Sequence, residues 1–75
     1  MERNKFVELF AEQFDETPKE IFKAETHFRD LDEWDSLVAL SVIAMVDEEM
    51  ETKITGADIR TCTTIEDLFN LVLSK

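Results

Sequence analysis

The side chains whose type and position first suggest a covalent or acid–base step are the Ser36 hydroxyl, the Cys62 thiol and the His27 imidazole. A serine acting as its own nucleophile needs a positioned base. His27 is the only histidine and precedes Ser36 by nine residues, in a stretch that reads as loop. Nothing in the spacing orients it, so it reads as a loop residue. Cys62 lies between two threonines and reads as a small buried apolar residue. A single cysteine forms no internal disulfide, and no Cys/His cluster offers a metal site. Asp30 and Asp32 begin a calcium-loop spacing, but its sixth position is Asp35 rather than glycine and its twelfth is Ser41 rather than glutamate. Ser36 remains. It follows Asp35, a good N-cap residue, at the start of an apolar run. Helix starts expose unpaired N–H groups and a positive dipole end, which favour a nearby phosphate. A phosphate ester on Ser36 fits that position, and so does an ordinary first-turn serine.

The elements that must position Ser36 are helical. Phe6, Phe10 and Phe14 recur every four residues, with Val7 and Leu9 beside them, and predict a first amphipathic helix over about 2–14. A long connection follows, about 15–35. Thr17-Pro18-Lys19-Glu20 predicts a turn of helix capped by Thr17. Ile21, Phe22, Phe28 and Leu31 are expected to pin this segment across the core, and Trp34 to pack it. The second helix is expected from Ser36 to about Met50, with Ala39, Val42, Ile43, Val46 and Met50 facing inward. Thr55-Gly56-Ala57-Asp58 opens a short third helix. Thr63-Thr64-Ile65-Glu66 reads as the capping box of a last helix over about 64–74. No strand is predicted. The expected fold is all-α: a small four-helix bundle, three main helices and one short, with a long ordered loop between the first two.

The second helix carries too much apolar surface for one stripe. Leu37, Leu40 and Ala44 lie away from its inward face, Val38 and Met45 flank it, and acid returns only at Asp47, Glu48 and Glu49. An apolar patch rimmed by acid marks a docking surface; a central helix buried on all sides is the alternative. The whole chain has 75 residues, one domain at most, with 18 acidic and 8 basic residues and a formal charge of −10. That surplus excludes a general nucleic-acid binder and disfavours an anionic membrane, while favouring partners with basic faces. The apolar run from Leu37 to Val46 is about half of what spans a bilayer. Met1 to Lys5 leads straight into the first helix without a secretory pattern, and the lone thiol fits a reducing interior, so the cytoplasm is the expected location.

Asp35-Ser36-Leu37 opening an apolar helix, with Asp47-Glu48-Glu49-Met50 after it, resembles the acyl carrier protein family. The resemblance covers nearly the whole chain. Phe28-Arg29-Asp30-Leu31 is similar to the family's aromatic-x-Asp-Leu loop, Ile54 to its apolar residue between the second and third helices, and Thr63-Thr64-Ile65 to its entry into the last helix. Some positions depart from the pattern. Leu31-Asp32-Glu33-Trp34 stands where fatty-acid carriers have Leu-Gly. Val38 and Ser41 replace acidic residues, and Arg60 stands where an acid is common. Trp34-Asp35-Ser36-Leu37 resembles discrete carriers of polyketide, peptide and surface-polysaccharide pathways more than those of housekeeping fatty-acid synthesis.

The resemblance implies a monomeric carrier rather than an enzyme, with 4′-phosphopantetheine attached to Ser36 from coenzyme A by a phosphopantetheinyl transferase. Asp35 completes the motif and caps the helix. Acyl- or aminoacyl-loading and transfer enzymes would dock on Leu37, Val38, Ser41, Ala44, Asp47, Glu48 and Ile54. The competing readings are an acidic helical interaction module without a prosthetic group and a domain regulated by phosphoserine.

Overall fold

The computed structural model describes residues 1–75. Its four helices are α1 (Arg3–Ala11), α2 (Ser36–Met50), α3 (Gly56–Arg60) and α4 (Ile65–Leu73), with single 3-10 turns at Lys19–Ile21 and Phe28–Asp30 in the long loop. α1 packs on α4 and α2, and α2 packs on α3. No strand forms; His27 and Thr64 make one isolated antiparallel bridge. The expected all-α bundle with its ordered loop is the observed architecture.

α1 stops short of the expected Phe14. Its last turn tightens: the amides of Gln13 and Phe14 donate to the carbonyls of Phe10 and Ala11, while Gln13 Nε2 takes the Leu9 carbonyl at 3.0 Å. The chain turns away there, yet Phe14 stays buried. Phe10 is fully buried and sits at the centre of an aromatic cluster. Phe28 meets it edge-on with centroids 5.4 Å apart, and Trp34 stacks at 6.2 Å. Phe22 lies 4.8 Å from Phe14, and Trp34 meets Phe28 edge-on at 4.9 Å. These contacts explain why so long a loop is ordered, since aromatic pairs add to the burial of large apolar area. Ile21, expected as a loop anchor, is instead exposed. In so short a turn Phe22 takes the inward place and its chain neighbour faces out.

The loop also completes the start of α4. The Ile65 and Glu66 amides donate to the loop carbonyls of Thr26 and Ala24, the Asp67 amide to Thr64 Oγ1, and the Thr64 amide to Asp67 Oδ2. All four N–H groups orphaned at that helix end are thereby satisfied. The capping box runs Thr64 to Asp67, one residue later than the expected Thr63 to Glu66. The shift places Ile65, Leu68, Phe69 and Val72 on the buried face. Thr55 and Asp58 form a second capping box at α3. Thr17 does not cap: its hydroxyl is drawn instead to Glu33.

α2 buries Val38, Val42, Met45 and Val46, with Ala39, Ile43 and Met50 half-buried. The inward face is therefore rotated towards Val38 from the expected stripe. With neighbours on two sides the helix buries an arc rather than a line. The helix ends at Glu51, whose φ of 50° and ψ of 39° place a non-glycine residue in the left-handed region.

Candidate functional site

Ser36 is the first residue of α2 and is exposed. Asp35 before it is extended, and its Oδ1 accepts the Val38 amide at 2.9 Å while its carbonyl accepts the Ala39 amide at 3.0 Å. The amides of Ser36 and Leu37 donate to nothing within the chain, so two of the helix's free N–H groups stand at the hydroxyl's own position.

Two anchors fix the approach to Ser36 from the N-terminal side. Trp34 is held in the aromatic cluster, and its amide closes a turn on the Leu31 carbonyl at 3.0 Å. Glu33 reaches back across the loop. Its carboxylate accepts the amides of Asp15 at 2.7 Å, Glu16 at 3.1 Å and Thr17 at 2.9 Å, and the Thr17 hydroxyl at 2.7 Å. The Thr17 hydroxyl and these three amides hold the Glu33 carboxyl below its ordinary value. The sequence carries no signal for this clasp, because carboxylate and amides are 16 to 18 residues apart.

Beside Ser36 lies a cleft of about 350 Å³ between the start of α2 and α3, lined by Arg29, Trp34, Asp35, Ser36, Ala39, Gly56, Ile59 and Arg60. A larger hollow of about 490 Å³ excludes Ser36 and is edged by Glu16, Asp30, Asp32 and Glu33. That ring of carboxylates repels an anion, whereas the smaller cleft offers two guanidinium groups against one carboxylate, and that one already caps a helix. The residues around Ser36 therefore suit a phosphodiester.

One face of α2 remains uncovered. Leu37 is 74% and Leu40 60% exposed, with Ser41, Ala44, Asp47 and Glu48 completing the row. Two residues expected on this docking surface are not available to it. Val38 turns inward at helical spacing with Val42 and Met45. Ile54 is buried because it is the one apolar side chain between α2 and α3 and closes the core there.

Neither other reactive side chain joins Ser36. His27 Nδ1 lies 3.7 Å from Asp30, its ring largely exposed. Cys62 is buried, and burial pushes its thiol above the ordinary value, which suits a packing role.

An exposed serine at a helix start, opening an apolar helix in a four-helix bundle, is the setting in which the family comparison takes its meaning. The chain matches the model of the phosphopantetheine attachment site over residues 4–72, and it belongs to that family. It is a carrier, not itself an enzyme, that holds 4′-phosphopantetheine covalently and works with a phosphopantetheinyl transferase and with the enzymes of its pathway. Neither curated proteins nor solved structures give a match. No helix is long and apolar enough to cross a membrane.

Proposed function

We propose that Ser36 is the attachment point and that the chain carries acyl or aminoacyl groups for a specialised biosynthetic pathway. The observation that carries this reading is the exposed hydroxyl at the start of α2, with the Asp35 cap behind it and the cationic cleft beside it. Without a base of its own, Ser36 depends on the transferase to take its proton. Its Oγ then bonds to the pantetheine-side phosphorus of coenzyme A, and the bond from that phosphorus to the adenosine bisphosphate leaving group breaks. The prosthetic group supplies a terminal thiol for thioester chemistry. Everything else falls to the chain: Asp35 fixes the helix start, Trp34 and Glu33 hold the approach to it, and the α2 face meets the enzymes.

Leu37, Ser41, Ala44, Asp47 and Glu48 form the docking face in this reading, with Leu40 added to it. Val38 and Ile54 support it from beneath. Exposed carboxylates raise encounter rates with basic partners, and a small apolar patch keeps dissociation quick. Two exposed leucines fall well short of the ~800 Å² per partner of a stable interface, which favours a monomer. Residues 1–75 are read as one carrier domain, working in the cytoplasm. The motif Trp34-Asp35-Ser36-Leu37, and apolar or neutral residues at Val38 and Ser41, favour a polyketide, peptide or surface-polysaccharide pathway over housekeeping fatty-acid synthesis. The test is intact mass after incubation with coenzyme A and a broad-specificity transferase. One phosphopantetheine is expected on the wild type and none on Ser36→Ala; an unmodified wild type beside a control carrier that is loaded contradicts the reading.

A further inference from the structure

We infer that Arg29 and Arg60 are positioning residues for the arm, holding its phosphodiester at the cleft between the starts of α2 and α3. The inference rests on attachment at Ser36. The chain has 18 acidic residues against 8 basic, and three of the basic ones are spoken for: Arg3 pairs with Glu66, Lys53 with Asp47 and Lys75 with Asp58. Of the five basic residues left without a carboxylate partner, Lys5, Lys19, Lys23, Arg29 and Arg60, only the two arginines line the cleft that contains Ser36. The Arg60 side chain runs back along α3 over its glycine start: Nη1 is 3.5 Å from where a Gly56 Cβ would stand. This folds the guanidinium back onto Gly56, which lines the same cleft as Ser36.

The chemistry matches what attachment brings. A phosphodiester presents two oxygens sharing one negative charge, and guanidinium forks suit that pair of oxygens better than ammonium groups do. The other main clefts on this chain of formal charge −10 are lined by carboxylates in excess or in balance with cations. At this cleft two cations outnumber the single Asp35 carboxylate.

The experiment compares wild type with the double variant Arg29→Gln/Arg60→Gln and with each single variant. All are loaded to completion and checked by intact mass and helical circular dichroism. The readouts are the ³¹P resonance of the phosphodiester and the difference in Tm between loaded and unloaded protein, at about 10 mM and about 1 M salt. At low salt the ³¹P resonance of the double variant is expected to differ from wild type, each single variant lying between. The Tm difference should be less favourable in the double variant by about 4 °C. At high salt these distinctions should close. Loaded proteins with the same ³¹P position and the same Tm difference overturn the arginine clamp alone. Failure of Ser36 to gain mass overturns attachment, and the clamp with it.

Discussion

The Glu33 carboxylate accepts both the hydroxyl and the amide of Thr17, at 2.7 and 2.9 Å, and so ties the start of the long loop after α1 to the residues that lead into Ser36. The clasp works only while Glu33 is ionised, since a carboxylate accepts from all four donors and a carboxylic acid or an amide does not. Glu33→Gln is therefore expected to lower Tm at pH 7 with the helical spectrum retained. An unchanged Tm would show that the aromatic cluster alone holds the loop.

Acid should expose the same dependence. Glu33, Asp58 and Asp67 are all held below their ordinary values, by the Thr17 hydroxyl, by the Lys75 ammonium and by the Thr64 amide respectively. A carboxylate with a lowered folded value binds protons more readily when unfolded, so its contribution is fully present above the unfolded value. That contribution disappears as pH falls through the folded value. Denaturant midpoints are expected to fall on acidification below about pH 4, and less steeply in Glu33→Gln and Asp67→Asn than in wild type. Equal slopes in all three would remove these carboxylates as the cause.

Neighbouring positions on α2 should separate docking from packing. Val42 is fully buried, and Val42→Ala should cost about 2 kcal/mol, or about 10 °C of Tm. Leu37, largely exposed, should change stability by less than about 0.5 kcal/mol on Leu37→Ala. Its loading rate with a transferase should nevertheless fall about fivefold. Glu48→Lys should slow loading in the same way. Unchanged rates would take these residues off the interface.

How far these features were legible in the sequence depends on how local their causes are. The Asp35 cap, the Thr55 cap and the helical spacing of α4 follow from residues within four positions of one another, and all were readable. The Thr64 cap was displaced by one residue because two adjacent threonines each have an acid three positions on, and only packing of α4 decides between them. Thr17 reads locally as a cap because its true partner, Glu33, lies 16 residues away. Val38 and Ile54 turn inward, against expectation, because period alone fixes which residues share a face, not which face is covered. The resemblance to carrier proteins named Ser36 but gave no sign of the arginine-lined cleft, which exists only once α3 packs on α2.

Glu51 marks a place where stability can be gained. It adopts a left-handed conformation at the C-terminus of α2, and its negative charge adds to the negative end of that helix. Glu51→Gly should raise Tm by about 4 °C, measured by thermal melting followed at 222 nm. A lower Tm would mean that its left-handed backbone carries no strain.

The charge of −10 is spread over a body only 29 × 24 × 20 Å. At about 10 mM salt the screening length is about 30 Å, so every carboxylate feels every other; at about 100 mM it is about 10 Å. Tm should rise between those two conditions. A flat response would argue that self-repulsion is not a significant term here.

The most direct measurement concerns the position of the attached group. The chain has three serines, Ser36, Ser41 and Ser74. Fragmentation mass spectrometry of the loaded protein is expected to place a single phosphopantetheine on Ser36, with Ser41 and Ser74 unmodified. A modification found on either of the other two, or none at all beside a control carrier that is loaded, would contradict the account.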